Sequence, residues 1–130
     1  MSLATAPCMP IRVLIADDHR LFAEALDAIL VLDPRIAVVG RASDGRQAVR
    51  LAADLQPDVV LMDLDMPLLD GIEAVYAIRA VRPRACILIL TGSNARADVD
   101  RAREAGAAGY VTKDRVAAEL ISAIVEVAAR

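Results

Sequence analysis

Five short apolar runs that do not alternate with polar residues constrain this chain more than any other feature. They are Ile11–Ala16 (IRVLIA), Ile36–Ala42 (IAVVGRA), Val59–Met62 with Asp63, Ala85–Leu90 (ACILIL) and a weaker run, Gly109–Thr112 (GYVT). A strand with one wet face alternates apolar and polar residues. A run that is apolar throughout belongs to a sheet covered on both faces, as parallel sheets are. Helical periodicity fills the gaps. Leu21, Ala25, Ala28, Ile29 and Leu32 recur at three and four residues. Asp44 reads as an N-cap before GRQAVRLAADL, with Ala48, Leu51, Ala52 and Leu55 on one stripe. Gly71–Val81 carries Ile72, Ala74, Val75 and Ile78. Asn94 reads as the cap of ARADVDRAREA, which stops at Gly106, and Asp114 as the cap of a last helix striped by Leu120, Ile121, Ile124 and Val127. Pro34, Pro57 and Pro83 each fall between a helix and the next strand. The order is strand-helix, five times over. It predicts an α/β doubly wound parallel sheet with five helices and right-handed crossovers.

The 130 residues suffice for one domain. Residues 1–10 read as a loose N-terminal tail and 11–130 as the folded unit. Only Phe22, Tyr76 and Tyr110 are aromatic, so the core is expected to be aliphatic and alanine-spaced. A net charge of −3 argues against direct grip on nucleic acid. No apolar run approaches the roughly 20 residues of a membrane span. Cys8 and Cys86 are too few for a disulfide framework and read as free thiols of a cytoplasmic protein.

Open parallel sheets bind ligands beyond the carboxyl ends of their strands. Strand one ends in Asp17-Asp18, strand three in Asp63, strand four in Thr91-Gly92-Ser93 and strand five in Thr112-Lys113. Each residue has a structural alternative: a cap, a turn or a solvated charge. Their convergence on one edge is harder to explain that way. Lys113 is the only lysine against fourteen arginines, and a compact ammonium enters a crowded anion site that a guanidinium does not fit. Two carboxylates about 5 Å apart repel by roughly 3 kcal/mol at an effective dielectric near 20. Three in one pocket call for a cation, and an all-oxygen set suits Mg²⁺. With a nucleophilic carboxylate, an ammonium and a hydroxyl, this is an inventory for phosphoryl transfer.

These residues resemble the receiver domains of bacterial two-component response regulators. The resemblance runs from about Ile11 to Ala129. It rests on Asp17-Asp18, on D-x-x-M-P-x-x-D-G at Asp63, Met66, Pro67, Asp70 and Gly71, on Thr91-Gly92, and on Gly106-Ala107, Gly109-Tyr110 and Lys113. It implies a flavodoxin-like fold, whose strand order 2-1-3-4-5 is borrowed from the family. It further implies that Asp63 accepts a phosphoryl group from a sensor histidine kinase's phosphohistidine. Asp17, Asp18, Asp63 and the backbone carbonyl of Asp65 would hold Mg²⁺. Lys113 and Thr91 would bind the phosphoryl oxygens, with Thr91 and Tyr110 as the switch toward the surface of the fourth helix, fifth strand and fifth helix. Asp65 and Ser93 are expected to tune the lifetime of the phosphorylated state. His19, the sole histidine, lies beside the site and is expected to be a solvated loop or helix-start residue, with a metal role as the lesser alternative. Gly71 is expected to supply flexibility, and Gly92 to leave the site open.

The D-D-H start and the Gly-Tyr-x-x-Lys-Asp ending resemble the NarL/LuxR type. That likeness implies a helix-turn-helix domain beyond Arg130 as the only route to DNA, and homodimerisation on phosphorylation. Arg20 and Leu68 depart from the common Pro and Gly at their positions. Two alternatives stand beside this reading. Asp63-Leu64-Asp65 also resembles the nucleophile motif of haloacid-dehalogenase-like phosphatases, although Asp17-Asp18 and Pro67 do not fit it. A stand-alone or degenerate receiver would act as a binding module alone.

Overall fold

The computed structural model describes residues 10–64, 71–92 and 96–129. Its elements run β1 (Ile11–Ala16), α1 (Arg20–Leu30), β2 (Ile36–Ala42), α2 (Gly45–Leu55), β3 (Val59–Asp63), α3 (Gly71–Val81), β4 (Cys86–Thr91), α4 (Arg96–Ala105), β5 (Gly109–Thr112), a 3-10 turn (Lys113–Arg115) and α5 (Val116–Ala128). The strands form one parallel sheet in the order β2-β1-β3-β4-β5. Both the doubly wound fold and the family's strand order are borne out.

The unbroken apolar runs serve two cores. Successive residues of a strand face opposite sides, so β1 sends Leu14 and Ala16 one way and Val13 and Ile15 the other. The first face packs under α2, α3 and α4 with Ala48, Ala52, Ala74, Ala102 and Ala105. The second packs under α1 and α5 with Leu26, Leu30, Leu120, Ile124 and Val127. Alanine spacing therefore belongs to the α2–α4 face, and branched side chains fill the other. The β1–β2 register slips by one residue between Val13 and Leu14.

Local signals explain most boundaries. Asp44 caps α2 by accepting from Gln47 N–H at 2.8 Å. Gly106 ends α4 with φ of 115°. Its N–H donates to Arg103 O and that of Ala107 to Ala102 O, both at 3.0 Å, which satisfies two end carbonyls. The three prolines lie between a helix and the next strand, as expected.

Three expectations need correction. The α1 stripe chosen from the sequence faces outward: Leu21 is 81% and Leu32 82% exposed, and Ala23, Leu26 and Leu30 are buried instead. Leu32 also lies beyond the helix, whose C-cap is Val31. Asp114 does not cap α5, which begins after the 3-10 turn with Arg115 at its N-cap and no side-chain cap. β4 starts at Cys86, because Ala85 N–H turns back to Arg82 O at 3.0 Å. The expected Asn94 cap, the N-terminal tail with Cys8, and Arg130 lie outside the described residues. Cys86 is a free thiol.

Candidate functional site

The strands β1, β3, β4 and β5 deliver polar residues to one edge. Asp17 follows β1, and its N–H continues the sheet ladder to Ala42 O at 3.0 Å. Asp63 closes β3, Thr91 closes β4, and Lys113 follows β5. Among the described residues, the buried polar or charged residues are Asp17, Asp63 and Thr91. Buried charges are costly unless paired, so this edge is built for something other than stability.

Lys113 Nζ donates to Asp63 Oδ2 at 3.2 Å and lies 3.3 Å from Asp17 Oδ2. One ammonium thus bridges acids from two strands. The ring of Phe22, on α1, lies under it with its centroid 4.8 Å from Nζ. Asp17 Oδ1 accepts from His19 N–H at 2.7 Å, which fixes that carboxylate across the turn into α1. His19 Nδ1 is 3.2 Å from Asp17 Oδ1, 3.3 Å from Asp18 Oδ1 and 3.6 Å from Asp63 Oδ2.

Burial raises the Asp17 carboxyl above its ordinary pKa. The His19 N–H opposes that shift, the Asp63 charge adds to it, and Lys113 opposes it. Lys113 pairs with Asp17 and Asp63, and Asp18 adds a third carboxylate beside His19. Asp17 Oδ2 is buried and takes no hydrogen bond among the described residues, because Lys113 attracts it without a hydrogen bond's alignment. One ligand atom each from Asp17, Asp18, His19 and Asp63 lies within 4.8 Å of the others. A carboxylate oxygen that is ion-paired but not hydrogen-bonded, in such a set, fits a hard divalent cation.

Asp17, Asp18, Asp63 and Lys113 therefore cluster as the sequence predicts, with Thr91 on the same edge. Tyr110 is 39% exposed, with the Arg103 guanidinium 5.6 Å from its ring centroid. Asp65 and Ser93 lie outside the described residues, as do Met66, Pro67, Leu68 and Asp70. Gly71 returns the chain to Leu64, donating to its carbonyl at 3.3 Å. A Cβ on Gly71 would stand 2.6 Å from Leu64 Cα, so close approach, not flexibility, requires glycine there. A Cβ on Gly92 would meet nothing within 4 Å, consistent with an open site.

Sequence reasoning missed Phe22 and ranked a metal role for His19 below a solvated one. His19 is half out in solvent, but its Nδ1 faces three carboxylates; the available signal was a sole histidine next to an acidic pair. Phe22, the only phenylalanine, lies three residues further on.

Fold and edge together define the class: a doubly wound α/β domain whose carboxylate edge suits a divalent cation and a phosphoryl group. A family model for the response regulator receiver domain matches residues 13–125, and the chain belongs to that family as a phosphorelay receiver of the NarL/LuxR type. It is 46% identical over 114 residues to the transcriptional regulatory protein LiaR of Bacillus subtilis, covering 88% of this chain and 54% of that protein. A protein-glutamate methylesterase/protein-glutamine glutaminase of Photobacterium profundum is 41% identical over 107 residues, covering 81% and 27%. The signal receiver domain of a putative response regulator NarL from Mycobacterium tuberculosis superposes with a TM-score of 0.89 at 34% identity, covering 94% and 98%. The chain spans about half the length of LiaR and about a quarter of the methylesterase. The phosphatase alternative falls: the acid pair opens on the third strand, not the first, and the matching family is the receiver. No helix among the described residues is long and apolar enough to cross a membrane.

Proposed function

We propose that Asp63 is the phosphoacceptor. Its carboxylate oxygen attacks the phosphorus of a sensor histidine kinase's phosphohistidine. The O–P bond forms as the N–P bond breaks, and the imidazole leaves with its electron pair. The observation that carries this reading is the convergence of Asp63 with Asp17 and Lys113 at distances of 3.2 and 3.3 Å. Asp17, Asp18 and Asp63 would hold Mg²⁺, joined by the Asp65 carbonyl. When bound, the ion would neutralise charge on the transferring phosphoryl group.

Lys113 stays with the phosphoryl oxygens, and the Thr91 hydroxyl donates to them. Tyr110 then turns inward, and the α4–β5–α5 surface changes its partner preference. Asp65 and Ser93 set how fast water removes the phosphoryl group. The chain catalyses only its own phosphorylation and dephosphorylation.

The output is transcriptional, through a C-terminal helix-turn-helix domain and a phosphorylation-dependent homodimer. Support comes from the likeness to LiaR and NarL and from the D-D-H and Gly-Tyr-x-x-Lys-Asp signatures.

Intact-mass measurement after incubation with Mg²⁺ and a small phosphodonor tests the central step. One phosphoryl increment per chain, absent in Asp63→Asn, is expected. Continuous release of phosphate from a small ester, or labelling that survives Asp63→Asn, would overturn it.

A further inference from the structure

We propose that His19 supplies a nitrogen ligand to the cation site, so that this receiver favours borderline divalent ions such as Co²⁺ and Ni²⁺ over Mg²⁺ more than an oxygen-only site would. The inference rests on the reading of Asp17, Asp18 and Asp63 as cation ligands.

One hydrogen bond, from the His19 ring to Asp17 Oδ1 at 3.2 Å, accounts for only part of the geometry, and the rest suits a shared ion. A neutral imidazole nitrogen carries at most one proton, so it can address one acceptor. His19 Nδ1 instead stands 3.2, 3.3 and 3.6 Å from oxygens of three different carboxylates. All three are acceptors, and Asp17 Oδ1 already accepts the His19 backbone N–H at 2.7 Å. Ligands about 2.1 Å from an octahedral ion lie about 3 Å from their cis neighbours. The three separations of 3.2, 3.3 and 3.6 Å are near that edge length, so Nδ1 stands where it could take a corner beside the acids once they draw in on an ion.

The backbone makes this placement possible. His19 sits at the N-cap of α1 with φ −86° and ψ 98°, and its side chain makes no cap hydrogen bond. The ring is therefore not committed to the helix. Its side chain is 62% exposed, so small rotations onto an ion disturb no core packing. The Asp17 oxygen that lacks a hydrogen bond is buried and lies 3.3 Å from Lys113 Nζ, while its other oxygen faces the His19 ring.

The chemistry follows from ligand type. Carboxylates and carbonyls suit Mg²⁺, which holds water tightly and gains little from nitrogen. Mn²⁺ shares that preference for oxygen though it accepts a nitrogen ligand, whereas imidazole suits Co²⁺ and, more strongly, Ni²⁺. His19 thus sets which metal the receiver takes when several are present.

Two measurements on the 130-residue chain test this. Calorimetric titration with Ni²⁺ and with Mg²⁺ compares the native protein with His19→Gln. The variant should bind Ni²⁺ about tenfold or more weakly, while its Mg²⁺ affinity changes by about twofold at most. Electron spin echo spectra of Mn²⁺ bound to the native chain should show nitrogen modulation, which His19→Gln abolishes. This second readout needs no variant to establish the ligand. Equal Ni²⁺ affinities, or bound Mn²⁺ without nitrogen modulation, would overturn the role of His19 and leave the acidic site standing. Failure of the native chain to bind any of the three ions would overturn the acidic site itself and His19 with it.

Discussion

The Lys113 ammonium lies 4.8 Å from the centroid of the Phe22 ring. A helix on one face of the sheet thus braces a cation delivered by the strand at its far edge. Lys113 is pulled by Asp63 and Asp17, and the ring limits where it can settle. Partly buried cation–π contacts contribute about 0.5–1 kcal/mol. Phe22→Leu keeps the apolar volume and removes the aromatic face. Phosphoryl incorporation should slow by about two- to fivefold, and Phe22→Tyr should restore it. Labelling time courses by intact mass give the comparison. Identical rates for the Leu variant and the native chain would show the ring to be mere packing.

Asp17 makes the cation-free protein less stable at neutral pH. Its pKa is raised in the fold, so the folded chain holds that proton more tightly than the unfolded chain. The sign is therefore set: this group's contribution falls as pH rises from the unfolded value of 3.8 through the higher folded one. Asp17→Asn removes the decline. Without divalent ions at pH 7, it should melt higher by about 1 kcal/mol, roughly 4 °C for a domain of this size. Excess Mg²⁺ should stabilise the native chain more than the variant. Thermal melts against pH, with chelator and with Mg²⁺, test both signs. A variant that melts lower in chelator would contradict this account of the acidic edge.

What the sequence made legible was whatever depends on local chemistry. Strand ends, the Asp44 cap and the Gly106 stop are each written in a few adjacent residues, and so is the clustering of Asp17, Asp63 and Lys113 once the sheet is parallel. The face of α1 was not legible, because its segment RLFAEALDAIL is apolar on two interleaved stripes. Helical spacing alone does not say which stripe meets the sheet. The path from β1 through Asp17, Asp18 and His19 decides it, turning Ala23, Leu26 and Leu30 inward. Asp114 failed as a cap for a related reason: the chain leaves Lys113 through a 3-10 turn before the α-helix begins. A metal role for His19 ranked second to a solvated one because neither its N-cap position nor its exposure predicts a nitrogen aimed at three acids.

Two glycines distinguish a site defect from a stability defect. At Gly106, φ of 115° strains any side chain, and an added Cβ would lie 2.8 Å from Arg79 Nε. That neighbour is a flexible side chain and can swing aside, so Gly106→Ala should cost about 1–2 kcal/mol, chiefly from backbone strain. At Gly71 the obstacle is the backbone of Leu64, with its Cα at 2.6 Å and its O at 2.9 Å. Backbone does not yield so easily, and Leu64 adjoins Asp63, the proposed acceptor. Gly71→Ala should slow phosphoryl incorporation as well as lower the melting temperature; Gly106→Ala should lower the melting temperature alone. The pairing of melts with labelling rates separates them, and equal labelling in both variants would remove Gly71 from the site's support.

Arg103 is predicted to bias the proposed switch at Tyr110 before any phosphoryl group arrives. Its guanidinium lies 5.6 Å from the Tyr110 ring centroid, over a side chain that is 39% exposed. If Tyr110 moves inward on phosphorylation, this contact is lost on the way, so it weights the outward position. An exposed contact of this kind is worth about 0.5–1 kcal/mol, which corresponds to about a two- to fivefold change in the outward-to-inward ratio. Arg103→Ala should raise the inward population in the unphosphorylated chain without touching Asp63 or Lys113. The chain has no tryptophan, so tyrosine emission reports directly once Tyr76, the other tyrosine, is replaced by phenylalanine. In that background, Arg103→Ala should make Tyr110 harder to quench with acrylamide, and Mg²⁺ with a phosphodonor should make it harder still. Unchanged quenching before phosphorylation would mean that Arg103 covers the ring without holding it. Easier quenching would mean that its main effect is to shield Tyr110 from solvent.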